Sequence, residues 1–243
     1  MSQARYEALV RLGAKRAWDP AILLAGLAPR RPFWLSRKRH ALLASQLLHG
    51  ENAALDAALR LRSHVSAAAR PALDVQIAEE KRHVAAQTRY SAMLGDHVPP
   101  SPALAEALAF LANPDLPPAA LALANNLLLE EEALHMHRTL SDALGCPALD
   151  VLGRAIDRDE HRHVLLGRLI LPDLLAPLDL DSRIAIFRTL RGAWFAVARA
   201  LLRDHGGFVP VAGRLDDLEK RWAWRRDRLV AAGLLDAGEA AAA

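Results

Sequence analysis

The chain has 243 residues, is 52% hydrophobic and only 5% aromatic, and carries a formal net charge of +3 with a sequence pI near 9.4. That length and apolar content suffice for one large core, and the abundance of Ala, Leu, Arg and Glu points to an all-α fold. The positive excess is scattered among acids, with RKRH at 37–40 as its densest block, so a dedicated nucleic-acid stripe is not favoured.

A single cysteine, Cys146, rules out an intrachain disulfide and leans towards a cytoplasmic setting. Arg5, Arg11 and Lys15 open the chain without an apolar block between them, unlike a secretory signal. Arg168 and Asp173 interrupt the most apolar stretch, VLLGRLILPDLLAPL, below the ~18 residues a membrane span requires.

In chain order, residues 2–18 read as a helix that stops near Asp19-Pro20, followed by the irregular AGLAPRRPFW. Ser36 is a plausible N-cap for a long helix running to about Ser66. Pro71 suits the first turn of the next, which ends at LGDHVPPSP. A short helix covers 102–112. Pro117-Pro118 opens a third long helix, closed by Gly145, and Pro147 opens a fourth, which fades between Pro172 and Pro177. Amphipathic stretches follow over 181–204 and 213–233, separated by HGGFVPVAG, and the tail GEAAAA is expected to be disordered. Nothing alternates with the period of a strand. The expected organisation is an N-terminal helical extension (1–36), a four-helix bundle (37–178), C-terminal helices packed on it (179–235) and a tail (236–243).

The chemistry lies in a repeated phrase. Residues 79–83 read EEKRH and residues 159–163 read DEHRH: acid, Glu, any residue, Arg, His. Glu80 and His83, and Glu160 and His163, are i,i+3 pairs, so each presents a carboxylate and an imidazole on one helix face. Both lie on apolar stripes, where an unpaired carboxylate is costly and a cation is a natural partner. Glu51 falls in the apolar row Leu43, Leu47, Leu55, Ala58 of the first long helix. On the third, Glu130, Glu131 and Glu132 stand in a row. Glu51 precedes Glu80 by 29 residues and Glu131 precedes Glu160 by 29, so two hairpins of equal length would place Glu131 first among the three at the level of the other carboxylates, with Glu130, whose face also carries Leu123, Leu127 and Leu134, as an additional ligand or pocket residue. Four Glu and two His from four helices form a site for two metal ions, and this oxygen-rich set suits iron or manganese better than zinc.

With these residues in place, the chain resembles the ferritin-like di-iron carboxylate superfamily over about residues 40–175. EEKRH and DEHRH are similar to motifs of acyl-carrier-protein desaturases and ribonucleotide reductase small subunits. Length and spacing look closer to smaller members such as aldehyde-deformylating oxygenase and the ubiquinone-biosynthesis hydroxylase. The resemblance implies a ferritin-like four-helix bundle with extra N- and C-terminal helices, and dioxygen activation at a carboxylate-bridged pair of Fe ions, or Mn/Fe. Carried over, Glu80 and Glu131 are bridges, Glu51 and Glu160 terminal or bridging ligands, and His83 and His163 bind one iron each. His135 is an additional ligand, as in some N-oxygenating members, or a pocket residue; an ordinary helix histidine is slightly favoured, and His137 is read the same way. Arg82 and Arg162 support the ligands, with Glu79 and Asp159 as partners across the bundle.

The implied activity is O2-dependent oxidation of a small or lipid-like substrate by hydroxylation, desaturation or N-oxygenation, with electrons from an external donor or reductase, since no nucleotide or flavin fingerprint is present. Iron handling of the ferroxidase type and tRNA-directed hydroxylation are the alternatives, and a homodimer is an allowed assembly. The aromatic set Trp194, Phe195, Trp222 and Trp224 is expected to dock the C-terminal helices.

Overall fold

The computed structural model describes residues 2–95, 97–205 and 218–243, which are helices and connections without a strand. Helix α1 spans Ser2–Lys15 and α2 Pro20–Leu23, the latter capped by Asp19, whose carboxylate accepts from the amides of Ala21 and Ile22. Helices α3 (Arg37–Leu61) and α4 (Arg70–Leu94) form the first long hairpin. The Ser36 hydroxyl caps α3, and Gly95, at φ +82°, ends α4 in the left-handed region that glycine enters without penalty. Helix α5 (Pro102–Ala112) lies in the connection to the second hairpin. There, α6 (Pro118–Ala122), a π-helical segment (Leu123–Leu129) and α7 (Glu130–Leu144) run as one rod, and α8 (Pro147–Leu175) returns. Helix α9 spans Leu180–His205, α10 Leu218–Ala231 and α11 Ala237–Ala242.

The four long rods close a ring: α3 packs on α4, α4 on α8, α8 on the α6–α7 rod, and that rod on α3. Helices α1 and α2 lean on α4, and α5 packs against α9. The core divides into two apolar clusters. One gathers Leu61, Leu73, Leu121 and Leu171; the other gathers Leu43, Tyr90, Leu140 and Leu152. Between them lies a layer of buried polar side chains.

Two expectations need correction. The tail folds into α11, because Asp236 and Glu239 form a reciprocal capping box and Ala240 is buried. The aromatic docking set holds for Trp194, Phe195 and Trp222, whose ring centroids lie 5.0–6.0 Å apart; Trp224 is exposed instead. Most of HGGFVPVAG and the start of the stretch at 213–233 lie outside the described residues.

The π-helical segment has a packing partner. An i→i+5 turn admits one extra residue, and Asn126 within it sits directly against Gly167 of α8. A Cβ at position 167 would lie 2.5 Å from the Asn126 Cβ. Asn126 donates to the Gln76 side chain at 2.9 Å and to the His163 carbonyl at 3.1 Å. Gly167→Ala is therefore expected to destabilise the chain by about 1–3 kcal/mol through forced separation of α8 from the π segment; equilibrium denaturation checks it, and an unchanged midpoint would contradict the close approach.

Candidate metal centre

Each long rod delivers at least one carboxylate to the polar layer. Glu51 comes from the middle of α3, Glu80 and His83 from α4, Glu130 from the first residue of α7, and Glu160 and His163 from α8; all six are at most 4% exposed. They form two overlapping sets. Glu51, Glu80, His83 and Glu160 each offer an atom within 4.8 Å of the others, and so do Glu80, Glu130, Glu160 and His163. Glu80 and Glu160 are common to both.

Both imidazoles turn Nδ1 inward. His83 Nδ1 lies 3.3 Å from Glu51, 3.2 Å from Glu160 and 3.5 Å from Glu80. His163 Nδ1 lies 2.9 Å from Glu160, 3.1 Å from Glu80 and 3.5 Å from Glu130. The outward nitrogens are held by the acid that opens the opposite phrase: His83 Nε2 is 3.2 Å from Asp159, and His163 Nε2 is 3.0 Å from Glu79. Arg162 donates to both acids, and Arg82 approaches Asp159 at 3.4 Å and Glu79 at 3.6 Å. The phrase is thus a crossed pair, in which each motif's first acid orients the other motif's histidine. Lys81 and His161, the middle residues, are exposed.

Electrostatics follow from burial. Desolvation penalises the charge on His83, yet Glu51, Asp159 and Glu160 outweigh it and hold its pKa well above the usual histidine value. His163 is raised likewise against desolvation, by Glu80 and Glu160 and by hydrogen bonding to Glu130. Burial raises Glu130 well above the carboxylate range, with Glu160 and Glu80 adding repulsion. Burial also pushes Glu51 up to about 7, although His83 opposes it. For Glu80 and Glu160, desolvation is overcome chiefly by His163, and both are lowered. Asp159 is held at about 2: burial is outweighed by its bond to His83, the charges of His83 and Arg162, and a bond from Trp18.

The donor set fits a pair of divalent cations. Glu51 Oε1, Glu80 Oε2, Glu160 Oε1 and His83 Nδ1 are buried without a hydrogen-bond partner, an arrangement that is costly unless a ligand completes it. Each Nε2 that donates to a carboxylate leaves the Nδ1 lone pair directed at the centre, the usual support for a metal-binding histidine.

The expected register fails at Glu131. Its carboxylate faces Arg225, Arg228 and Arg168 at 3.5–4.0 Å, away from the layer, and Glu132 pairs with Arg221 and Arg225. Glu130 takes the inward place. The reason is that the hairpins are unequal. Glu51 lies ten residues before the end of α3 and Glu80 ten after the start of α4, with a loop between. Glu130 lies fourteen residues before the end of α7, and a two-residue turn follows. The matching spacing of 29 is a coincidence of one long loop and two long arms. His135 also stays outside the cluster, lining a surface cavity with Arg138 and His161. His137 is buried beside it but bonds Gln87 at 2.9 Å, and burial takes it down to about 4.

Sequence reading missed three participants. Trp18 Nε1 donates to Asp159 at 2.9 Å and stacks near His83. Gln76 donates to Glu80 and to Glu130, both at 3.2 Å. Asn126 secures Gln76 from the π segment. Gln76 sits one turn before Glu80, which its spacing alone could have suggested; Trp18 carried no such signal.

An apolar cavity of about 50 Å³ adjoins Glu51 and Glu130, walled by Ala54, Leu104, Leu108 and Met136. A second of about 50 Å³ shares Leu108, Leu129, Glu132 and Val197 with it and extends to Trp194.

A helical bundle that brings four glutamates and two histidines to one buried layer defines the ferritin-like carboxylate architecture. Solved structures agree on the fold. A chain assigned as a class I ribonucleotide reductase from Bacillus halodurans superposes with a TM-score of 0.65 at 13% identity, over 85% of this chain and 82% of that one. The R2-like ligand-binding oxidase from Sulfolobus acidocaldarius gives 0.58 at 19% identity, over 86% and 90%. A point variant of an R2-like ligand-binding oxidase with a reconstituted Mn/Fe cofactor gives 0.63 at 17% identity, over 90% and 91%. No protein-family model and no curated protein matches the sequence. The fold is an all-α ferritin-like bundle, similar to that of these R2-type structures.

Burial and neighbouring charges favour the protonated forms of His83, His163 and Glu130 and push Glu51 up to about 7, so cation uptake is expected to compete with protons. Anaerobic loading with Mn(II) or Fe(II) in weakly buffered solution is expected to release protons, with affinity rising from about pH 6 to about pH 8; pH-independent affinity would contradict these assignments. Asp159→Asn is expected to weaken metal binding about 10- to 100-fold by loosening His83, as read by competition with a chromogenic chelator.

Proposed function

We propose that the chain is an O2-dependent oxidoreductase holding two metal ions, Fe/Fe or Mn/Fe, and oxidising a small or lipid-like organic substrate. The observation that carries this reading is the pair of overlapping ligand sets with Glu80 and Glu160 in common. In this reading Glu51 and His83 would help hold one ion and Glu130 and His163 the other, with Glu80 and Glu160 available to both. Such a pair of ions supplies the reduction of dioxygen.

The remaining chemistry belongs to the chain. Asp159 and Glu79 fix the imidazoles so that only Nδ1 can serve as a ligand. Gln76, anchored by Asn126, donates to Glu80 and Glu130 and steadies those carboxylates. The two apolar clusters above and below the layer keep bulk water out. The cavity beside Glu51 and Glu130 is walled mainly by apolar side chains, among them Ala54, Leu104, Leu108 and Met136, with Gln46 and Glu132 as its other polar members, which favours an apolar group next to the carboxylates over a sugar or a peptide. Electrons come from an external donor in this reading. The R2-like oxidases are described as ligand-binding, which supports a substrate-directed role over iron storage.

Glu130→Ala is expected to lower the bound metal from two ions to one per chain and to abolish oxygen consumption, whereas Glu131→Ala leaves the stoichiometry at two. Metal analysis and an oxygen electrode check both. Two ions retained in Glu130→Ala would overturn the ligand set. Filling the cavity with Ala54→Phe is expected to leave metal content unchanged while reducing substrate turnover, separating the substrate reading from ferroxidase activity, which would persist.

A further inference from the structure

Outside the buried layer, α7, α8 and α10 enclose a second feature, a surface cavity of about 770 Å³. Five arginines line it: Arg138, Arg168, Arg221, Arg225 and Arg228, joined by Lys220 at its edge. The carboxylates paired with these arginines are fewer. Glu131 answers Arg225, Arg228 and Arg168 at 3.5, 3.6 and 4.0 Å. Glu132 answers Arg221 and Arg225, and Asp157 answers Arg138 at 3.1 Å. Three carboxylates set against five guanidinium groups leave the wall with an excess of positive charge.

The donors are under-satisfied as well. Arg225 is 4% exposed, and its Nε is buried without a hydrogen-bond partner; Arg221 Nη1 and Arg228 Nε are in the same state. Buried guanidinium donors are seldom left so. The remaining wall is apolar and in part exposed: Trp224 is 45% and Leu165 48% exposed, and the guanidinium carbons of Arg225 and Arg228 lie 4.4 and 4.7 Å from the Trp224 ring centroid. A cavity of this volume fits a small molecule. Forked guanidinium donors match phosphate oxygens, and an exposed indole matches a flat apolar group.

We propose that this cavity binds a phosphorylated organic molecule carrying at least two negative charges, its phosphates on Arg168, Arg225 and Arg228 and its flat apolar part against Trp224. The site is separate from the carboxylate layer, and its occupancy does not depend on the redox reading above. Glu131, which looked like a metal ligand, here serves to pre-position the arginines.

Calorimetric titration of the metal-loaded full-length chain with ADP and with inorganic pyrophosphate tests this, with metal content measured before and after to exclude chelation. ADP is expected to bind saturably with a Kd below about 1 mM, and pyrophosphate more weakly. The Arg168→Gln/Arg228→Gln double variant, at two partly exposed positions, is expected to weaken both at least about tenfold. The charge-retaining Arg168→Lys/Arg228→Lys variant, which keeps charge but not the fork, is expected to lose less. Trp224→Ala is expected to weaken ADP and spare pyrophosphate. The proposal is overturned if neither probe binds saturably, if the Gln double variant binds both as the parent does, or if only a long RNA binds while both small probes fail.

Discussion

Four glutamates and two histidines share a layer from which water is excluded, and the rest of the structure answers to the cost of that arrangement. Burying a carboxylate without compensation is prohibitive. Two divalent cations would balance four carboxylates charge for charge. The same burial and charge crowding favour the protonated forms of His83, His163 and Glu130. The same constraint reaches the next ring outward, where Glu79 and Asp159 orient the imidazoles and are matched by Arg162 and Arg82. The two apolar clusters on either side are what make the layer dry and therefore strongly interacting.

The symmetry of the centre is functional rather than geometric. The two phrases exchange their first acids, so neither hairpin can orient its own histidine. This ties α4 to α8 at one level and makes the centre a product of their packing. The other two rods have more latitude. On one side α3 contributes a single glutamate from mid-helix; on the other, the rod is interrupted by seven residues of π-helix that end where Glu130 begins. Such interruptions collect at functional sites because they re-aim side chains without ending the helix. Here the interruption also admits Asn126 against Gly167, which supports Gln76 and, through it, Glu80 and Glu130.

Glu130, Glu131 and Glu132 show how three identical side chains acquire three fates. One faces the buried layer, one the arginines of α10 and α8, and one the partition between the basic cavity and the apolar cavities. Their identities are equal in sequence; only the neighbouring helix face separates them.

The sequence by itself determined the helical content, most helix limits, the apolar stripes and five of the six side chains in the layer, because i,i+3 spacing and capping chemistry are local and survive without knowledge of partners. It also pointed to Arg162, Glu79 and Asp159, since the repeated phrase carried them beside the buried Glu and His of the layer. The tertiary structure alone decided the sixth carboxylate. The spacing of 29 implied equal hairpins, whereas loop length, arm length and the rotation introduced by the π segment set the level at which each residue meets the core. It alone decided that Glu80 and Glu160 are the shared pair, that Trp18 reaches Asp159 from the N-terminal extension, and that Arg168, Arg225 and Arg228 converge from two helices on one cavity. Those facts depend on which faces pack together, and nothing local in the chain encodes that.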